Sequence, residues 1–187
     1  FEENYRNSKQ IAQLALAIAR SPFYRGVADL IEPKSARADG PLPALVAFGS
    51  EDAEMRFVEG LAQQYAKKGT VAVLFRDRDL EKRLHLPGTR LHRELGIWPS
   101  GPGVFYGTYH AAKGLEFDSV IVPFASAARL PHPPDVEAFG VDDAAASNAK
   151  LLYVAVTRAK SDLVLTHTGA PSALLPTDAK LLQRSSR

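Results

Sequence analysis

The spacing of apolar residues changes several times along the chain, and each change marks an element. Between Ser8 and Arg20, Ile11, Leu14, Ala15 and Ile18 recur at helical intervals, with Ser8 as the N-cap and Ser21-Pro22 as the stop. Residues 24–43 mix glycine, proline, serine and both charges, and read as a loop with room for a short strand or turn. Ala44 to Phe48 is then continuously apolar. Gly49 and a candidate N-cap, Ser50, open a second helix with Glu51, Asp52 and Glu54 in its first turn and Met55, Val58, Leu61, Ala62 and Tyr65 as its apolar stripe. Lys67 and Lys68 are expected in its last turn, and Gly69 closes it. Val71 to Phe75 is apolar throughout, and Val104 to Tyr109, Val120 to Phe124 and Leu163 to Thr166 repeat the pattern. Strands that do not alternate polar with apolar are buried on both faces. The expectation is therefore an α/β fold, a parallel sheet of about five strands with helices on both faces.

Two stretches depart from this regularity. Residues 85–103 are rich in Gly and Pro, with a helical turn predicted around Arg90 to Leu95, and residues 130–149 run from Leu-Pro-His-Pro-Pro-Asp through Asp142-Asp143 to an alanine run. Both read as excursions at the sheet edge. A further helix is predicted over Lys150–Lys160, where Leu151, Leu152, Val154, Ala155, Val156 and Ala159 form one broad apolar sector. Arg158 follows Leu151 by seven residues and so projects from that same sector, where a guanidinium is costly unless an anion meets it. A second reading of Arg158 is open at this point: it snorkels to water from the last turn and complements the helix dipole.

At 187 residues and 45% hydrophobic content the chain can form one domain with a proper core. No apolar run approaches the roughly 20 residues that span a bilayer, and Phe1-Glu-Glu-Asn-Tyr-Arg6 is neither a signal nor a transit peptide. A cytoplasmic protein with no membrane partner is the expectation. There is no cysteine, and the five histidines lack ligand spacing, so no structural metal is expected. A net charge of +2 does not mark a nucleic-acid binder. Two local clusters, Arg76, Arg78, Lys82 and Arg83, and Lys150, Arg158 and Lys160, read on charge alone as solvated faces. Arg6 stands at or just before the first helix N-terminus, where an anion would meet both the arginine and free backbone N–H groups.

Thr108-Tyr-His-Ala-Ala-Lys-Gly-Leu-Glu-Phe-Asp118 leaves one predicted strand and leads to the next. Ligands of open α/β sheets gather beyond the carboxyl ends of strands, which makes this a candidate binding segment, with Gly114 allowing close backbone approach. The segment resembles motif V of the UvrD/Rep-like superfamily 1 DNA helicases, and Leu151 to Lys160 resembles their motif VI. Asn4-Tyr5-Arg6 is similar to motif IV, and Val73-Leu74-Phe75-Arg76 to the segment that follows it. The resemblance implies the second RecA-like core domain, a P-loop NTPase-type fold lacking the P-loop itself, over residues 1–187.

By that resemblance Arg158 and Arg6 contact the γ-phosphate of ATP between two RecA-like domains and stabilise charge in phosphoryl transfer. Glu116 bonds the ribose, and Thr108, His110 and Gly114, with Arg76, lie along single-stranded DNA. The family translocates 3′ to 5′. Asn7 stands where the family often has serine, Arg78 where asparagine is common, and Ser147-Asn148-Ala149-Lys150 replaces the usual acidic pair. Between Arg76 and Thr108 there is no room for the large accessory domain of many relatives, which must be absent or reduced. No Gly-x-x-x-x-Gly-Lys-Ser/Thr loop occurs, and no upstream strand ends in Asp-Glu to hold magnesium. The expectation is a fragment of a larger DNA helicase. ATP and Mg2+ would be held mainly by the N-terminal RecA-like domain of the same protein, and the isolated chain would be inactive. The alternative is a non-catalytic nucleic-acid- or partner-binding module derived from such a helicase.

Overall fold

The computed structural model describes residues 7–23, 38–92 and 98–187. Seven strands form a single sheet in the order β3-β4-β2-β5-β6-β1-β7: β1 Ala44–Phe48, β2 Thr70–Phe75, β3 Thr89–Arg90, β4 Gly103–Thr108, β5 Phe117–Val122, β6 Ala159–Thr168 and β7 Gln183–Ser186. Every neighbouring pair runs parallel. The five apolar runs lie in strands β1, β2, β4, β5 and β6. The two additional strands sit at the sheet edges. β3 has only two residues and β7 is polar and exposed throughout, so neither carries a buried run.

Helices α1 Lys9–Ala19 and α5 Val141–Val156 cover one face, and α2 Glu51–Ala66 covers the other with the short α3 Arg78–Glu81. Strand β2 shows how the sheet divides its side chains: Ala72 and Leu74 pack with Ile11, Leu14 and Leu152, whereas Val71, Val73 and Phe75 pack with Met55, Val58 and Ala62. Each fully buried aliphatic chain of this kind contributes about 1.5–3 kcal/mol, and the two-sided core explains why the strands read as unbroken apolar runs. The caps match the sequence pattern. Ser8 Oγ accepts from Ile11 N–H and Ser50 Oγ from Ala53 N–H. Helix α2 ends at Ala66, which places Lys67 at the C-cap and Lys68 beyond it, not in the last turn.

Glu54 on α2 is fully buried. Its carboxylate accepts from Phe124 N–H at 2.8 Å, Thr166 Oγ1 at 2.7 Å and Thr168 Oγ1 at 2.9 Å, tying the helix to the carboxyl ends of β5 and β6. Phe124 there has φ 59°, a left-handed conformation that costs a side-chain-bearing residue about 1–2 kcal/mol. The bond from its N–H to Glu54 helps hold that conformation.

Residues 130–149 are not a loop excursion. Pro133 and Pro134 start α4, Pro133–Phe139, and the alanine run is the first half of α5, entered through Gly140 at φ 86°. Proline at a first helical position lacks only an N–H that would be unpaired anyway, so Pro133-Pro134 marks a start and not a break. Arg90, expected in a helical turn, lies in β3, where Leu91 N–H donates to Tyr106 O and Arg90 Nε bonds buried Glu81 at 2.6 Å. Among the described residues no helix is long and apolar enough to cross a membrane.

Candidate functional site

Helix α5 stops at Val156, four residues before the expected end at Lys160, with Thr157 as C-cap and Ala159 already in β6. Arg158 is thus the single residue between cap and strand. Its side chain neither projects from a helix stripe nor reaches water, being only 4% exposed. Its Nε donates to Val154 O at 3.0 Å and its Nη2 to Thr157 Oγ1 at 3.1 Å. Thr157 Oγ1 in turn donates to Tyr153 O at 2.8 Å. The guanidinium therefore does complement the carbonyl end of the helix, folded back upon it instead of extended into solvent.

The backbone at this turn is fixed from several sides. Arg158 N–H donates to Ala155 O, Phe117 N–H donates to Arg158 O at 2.9 Å, and Ser8 N–H donates to Lys160 O. The Phe117 bond brings Glu116, the residue before β5, beside Arg158, the residue before β6. Both stand at the amino-terminal edge of the sheet, where Phe117 pairs with Ala159 in the strand register. Glu116 is partly exposed and makes no side-chain hydrogen bond or ion pair among the described residues. Arg6 lies outside the described residues.

Thr108 belongs to the opposite edge. It ends β4 in register with Phe75, the last residue of β2, so Thr108 and Arg76 leave the sheet side by side at its carboxyl-terminal edge. Between Thr108 and Phe117 the chain crosses the α1/α5 face without a helix. Tyr109 and Ala112 are buried in that face, and burial pushes the Tyr109 phenol well above its usual range. His110 and Gly114 are exposed. Gly114 has φ 83°, and a Cβ there would meet open space, so backbone conformation and not crowding selects glycine. The structure therefore divides the segment that sequence treated as one site: Thr108 and His110 start it at one edge, and Glu116 ends it at the other.

Arg76 is held by partners distant in sequence. Its Nη2 meets Asp135 Oδ2 at 2.5 Å and its Nε donates to Asn148 Oδ1 at 2.7 Å, with 13% of the Arg76 side chain exposed. Asn148 Nδ2 also donates to Asp135, and His132 N–H donates to Asn148 Oδ1. Partial burial raises the Asp135 pKa, but the Asn148 hydrogen bond and the Arg76 charge outweigh it and hold the carboxyl below its ordinary range. Asp135, on α4, thus supplies a carboxylate to Arg76, and Asn148, from residues 147–150 of α5, supplies its second acceptor. Sequence reasoning did not find Asp135, nor Thr157 as the partner of Arg158. A helix-start signal at Pro133 could have pointed to the first, since it puts Asp135 in a first turn, but nothing local points to Arg76.

A family model described as the UvrD-like helicase C-terminal domain matches residues 98–169, which include the crossover, α4, α5 and Arg158. Over 67 residues, 36% of this chain, the sequence is 39% identical to the proteins named "Probable DNA helicase II homolog" in Rickettsia conorii and "DNA helicase II" in Rickettsia typhi. The match spans 10% of those relatives' length. A solved structure described as the C-terminal domain of a possible DNA helicase, from a Lactobacillus (strain WCFS1), superposes with a TM-score of 0.63 at 26% identity. That likeness covers 96% of this chain and 98% of the solved one. Both specific motifs thus lie inside the stretch that matches the UvrD-like helicase C-terminal domain, and the chain shares its fold with the solved C-terminal domain of a possible DNA helicase.

Proposed function

We propose that this chain is the C-terminal motor half of an ATP-dependent DNA helicase that translocates 3′ to 5′, and that residues 1–187 act as one RecA-like domain. The observation that carries the reading is the pairing of Glu116 and Arg158 at one sheet edge through the Phe117–Arg158 backbone bond, while Thr108 and Arg76 meet at the other. A carboxylate with no partner among the described residues can accept from ribose hydroxyls. The arginine that lies beside it across the starts of β5 and β6 can reach a terminal phosphate. To do so, Arg158 exchanges the neutral acceptors Val154 O and Thr157 Oγ1 for charged oxygens, and such charge-assisted bonds are roughly twice as strong. Arg6, covalently two residues before Ser8, is assigned the same phosphate. Mg2+ and most contacts to ATP fall to the N-terminal RecA-like domain of the parent protein, where the cation would neutralise charge on the phosphates. Alone, this half neither hydrolyses ATP nor unwinds DNA.

Thr108, His110 and Arg76 at the carboxyl-terminal edge, with Gly114 farther along the crossover, form the single-stranded DNA track. Contacts of this kind follow the phosphates and do not read sequence. The ion pair of Arg76 favours a second reading, a non-catalytic binding module in which both arginines are structural.

The deciding measurement is ATP turnover by the full-length parent, with and without single-stranded DNA. Arg158→Ala is expected to lower DNA-stimulated kcat by about 10³-fold or more, the scale of an arginine finger, and to leave single-strand affinity largely intact. Unchanged turnover would overturn the assignment, and a parent silent in both conditions would favour the binding module.

A further inference from the structure

Asn7 is 4% exposed, and its Nδ2 donates to Thr157 O at 2.9 Å and to Ala159 O at 2.6 Å. These carbonyls flank Arg158 on either side. Because both partners are pure acceptors, the amide can face them only with its nitrogen. Each of its two N–H hydrogens serves one carbonyl, so a single side chain brackets the residue between them. The next residue extends the clamp, with Ser8 N–H donating to Lys160 O at 2.7 Å. A serine hydroxyl, the residue that the resemblance associates with this position, has one proton and can serve only one of the two carbonyls.

We infer that Asn7 is a positioning residue that sets the backbone from which Arg158 enters the nucleotide site. The inference rests on the proposed role of Arg158. The guanidinium must leave Val154 O and the Thr157 hydroxyl to reach a phosphate, and during that swing the main chain of residues 157–159 fixes its origin. Asn7 holds that main chain on both sides through the Thr157 and Ala159 carbonyls. The clamp also joins the start of α1 to the turn before β6, so the segment that follows Arg6 and the segment that carries Arg158 share one rigid anchor.

The test uses the full-length parent and reads kcat and KM for ATP at saturating single-stranded DNA. Asn7→Ala is expected to lower kcat about 10- to 100-fold, the cost of misplacing a reacting group by about an ångström. KM and single-strand affinity should stay within about twofold, because the lost interaction acts in the transition state. Asn7→Ser, which keeps one donor and the fold, should fall between Ala and wild type and supplies the reading if the alanine variant does not fold. On an Arg158→Ala background, Asn7→Ala should lower kcat no further. Wild-type kcat in both Asn7 variants, or the same loss with and without Arg158, overturns the inference while leaving the finger intact. Wild-type turnover in Arg158→Ala removes both.

Discussion

Replacing Asp135 by Asn should push stability and DNA affinity in opposite directions. Asp135 Oδ2 sits 2.5 Å from Arg76 Nη2, and the two side chains are 22% and 13% exposed. Removing one member of a buried pair costs about 3–5 kcal/mol. Here solvent reaches part of the pair and asparagine retains an oxygen acceptor, so about 1.5–2 kcal/mol is the expected loss. For a domain of this size that lowers Tm by about 3–8 °C. The formal net charge rises at the same time from +2 by one, and Arg76 is released from its carboxylate. If Arg76 lies on the DNA track, one more phosphate contact adds about 0.7 to the slope of log K against log salt, or roughly fivefold in affinity at 0.1 M salt. Thermal melting of the variant and salt-titrated binding of a dT oligonucleotide by the parent protein measure the two effects. A lower Tm with an unchanged salt slope would refute the track assignment and make Arg76 a brace for α4.

Glu54→Ala strands the buried Phe124 N–H and the Thr166 hydroxyl; at about 1–3 kcal/mol for each stranded group, a loss near 4 kcal/mol is expected in urea unfolding, and a change under about 1 kcal/mol would refute the bridging role. Glu51 and Asp135 give an acid-side prediction. The Arg129 hydrogen bond, opposed by burial and aided by Arg83, lowers the Glu51 pKa, and Asp135 is lowered as described. Both carboxyls therefore contribute stability above the unfolded-state value of about 4, and that contribution is lost as pH falls through their folded-state values. Melting temperature should be nearly flat from about pH 7 to 5 and drop below about 4, with a smaller acid-side drop in Asp135→Asn; parallel curves would sink the linkage.

The fold was legible where local rules and burial agree. Ser50 and the acidic first turn opened α2 where expected because caps and dipole act within a few residues, whereas Gly69 lies two residues beyond the Lys67 C-cap, where a Cβ would collide with Asp118. β1, β2, β4, β5 and β6 announced themselves because both faces of the sheet are covered. Strand β7 was illegible for the opposite reason: Gln183–Ser186 is polar and held at an edge by pairing with β1, a partner far back in the chain. The end of α5 was misplaced because Ala159 continues the helical period by coincidence, while the Thr157 cap and the pull of β5 end the helix first. Arg158 and the crossover motif were found from residue types in order. Their division between two edges was not, since only the strand register, Phe117 with Ala159, shows that Glu116 lies beside Arg158. The Arg76 network spans separations of 59 and 72 residues, beyond any periodicity.

The crossover from Tyr109 to Glu116 has a mechanical consequence. A strand of six residues such as β5 is about 20 Å tall, and this segment must cover that height without the slack of a crossover helix. Tyr109 and Ala112 pin it to the core along the way. It is a run of hydrogen-bonded turns between Thr108 and Glu116, with Ala112 N–H donating to Thr108 O, Lys113 N–H to His110 O and Leu115 N–H to Ala112 O. A push on either end therefore has few free dihedrals in which to dissipate before it arrives at the other.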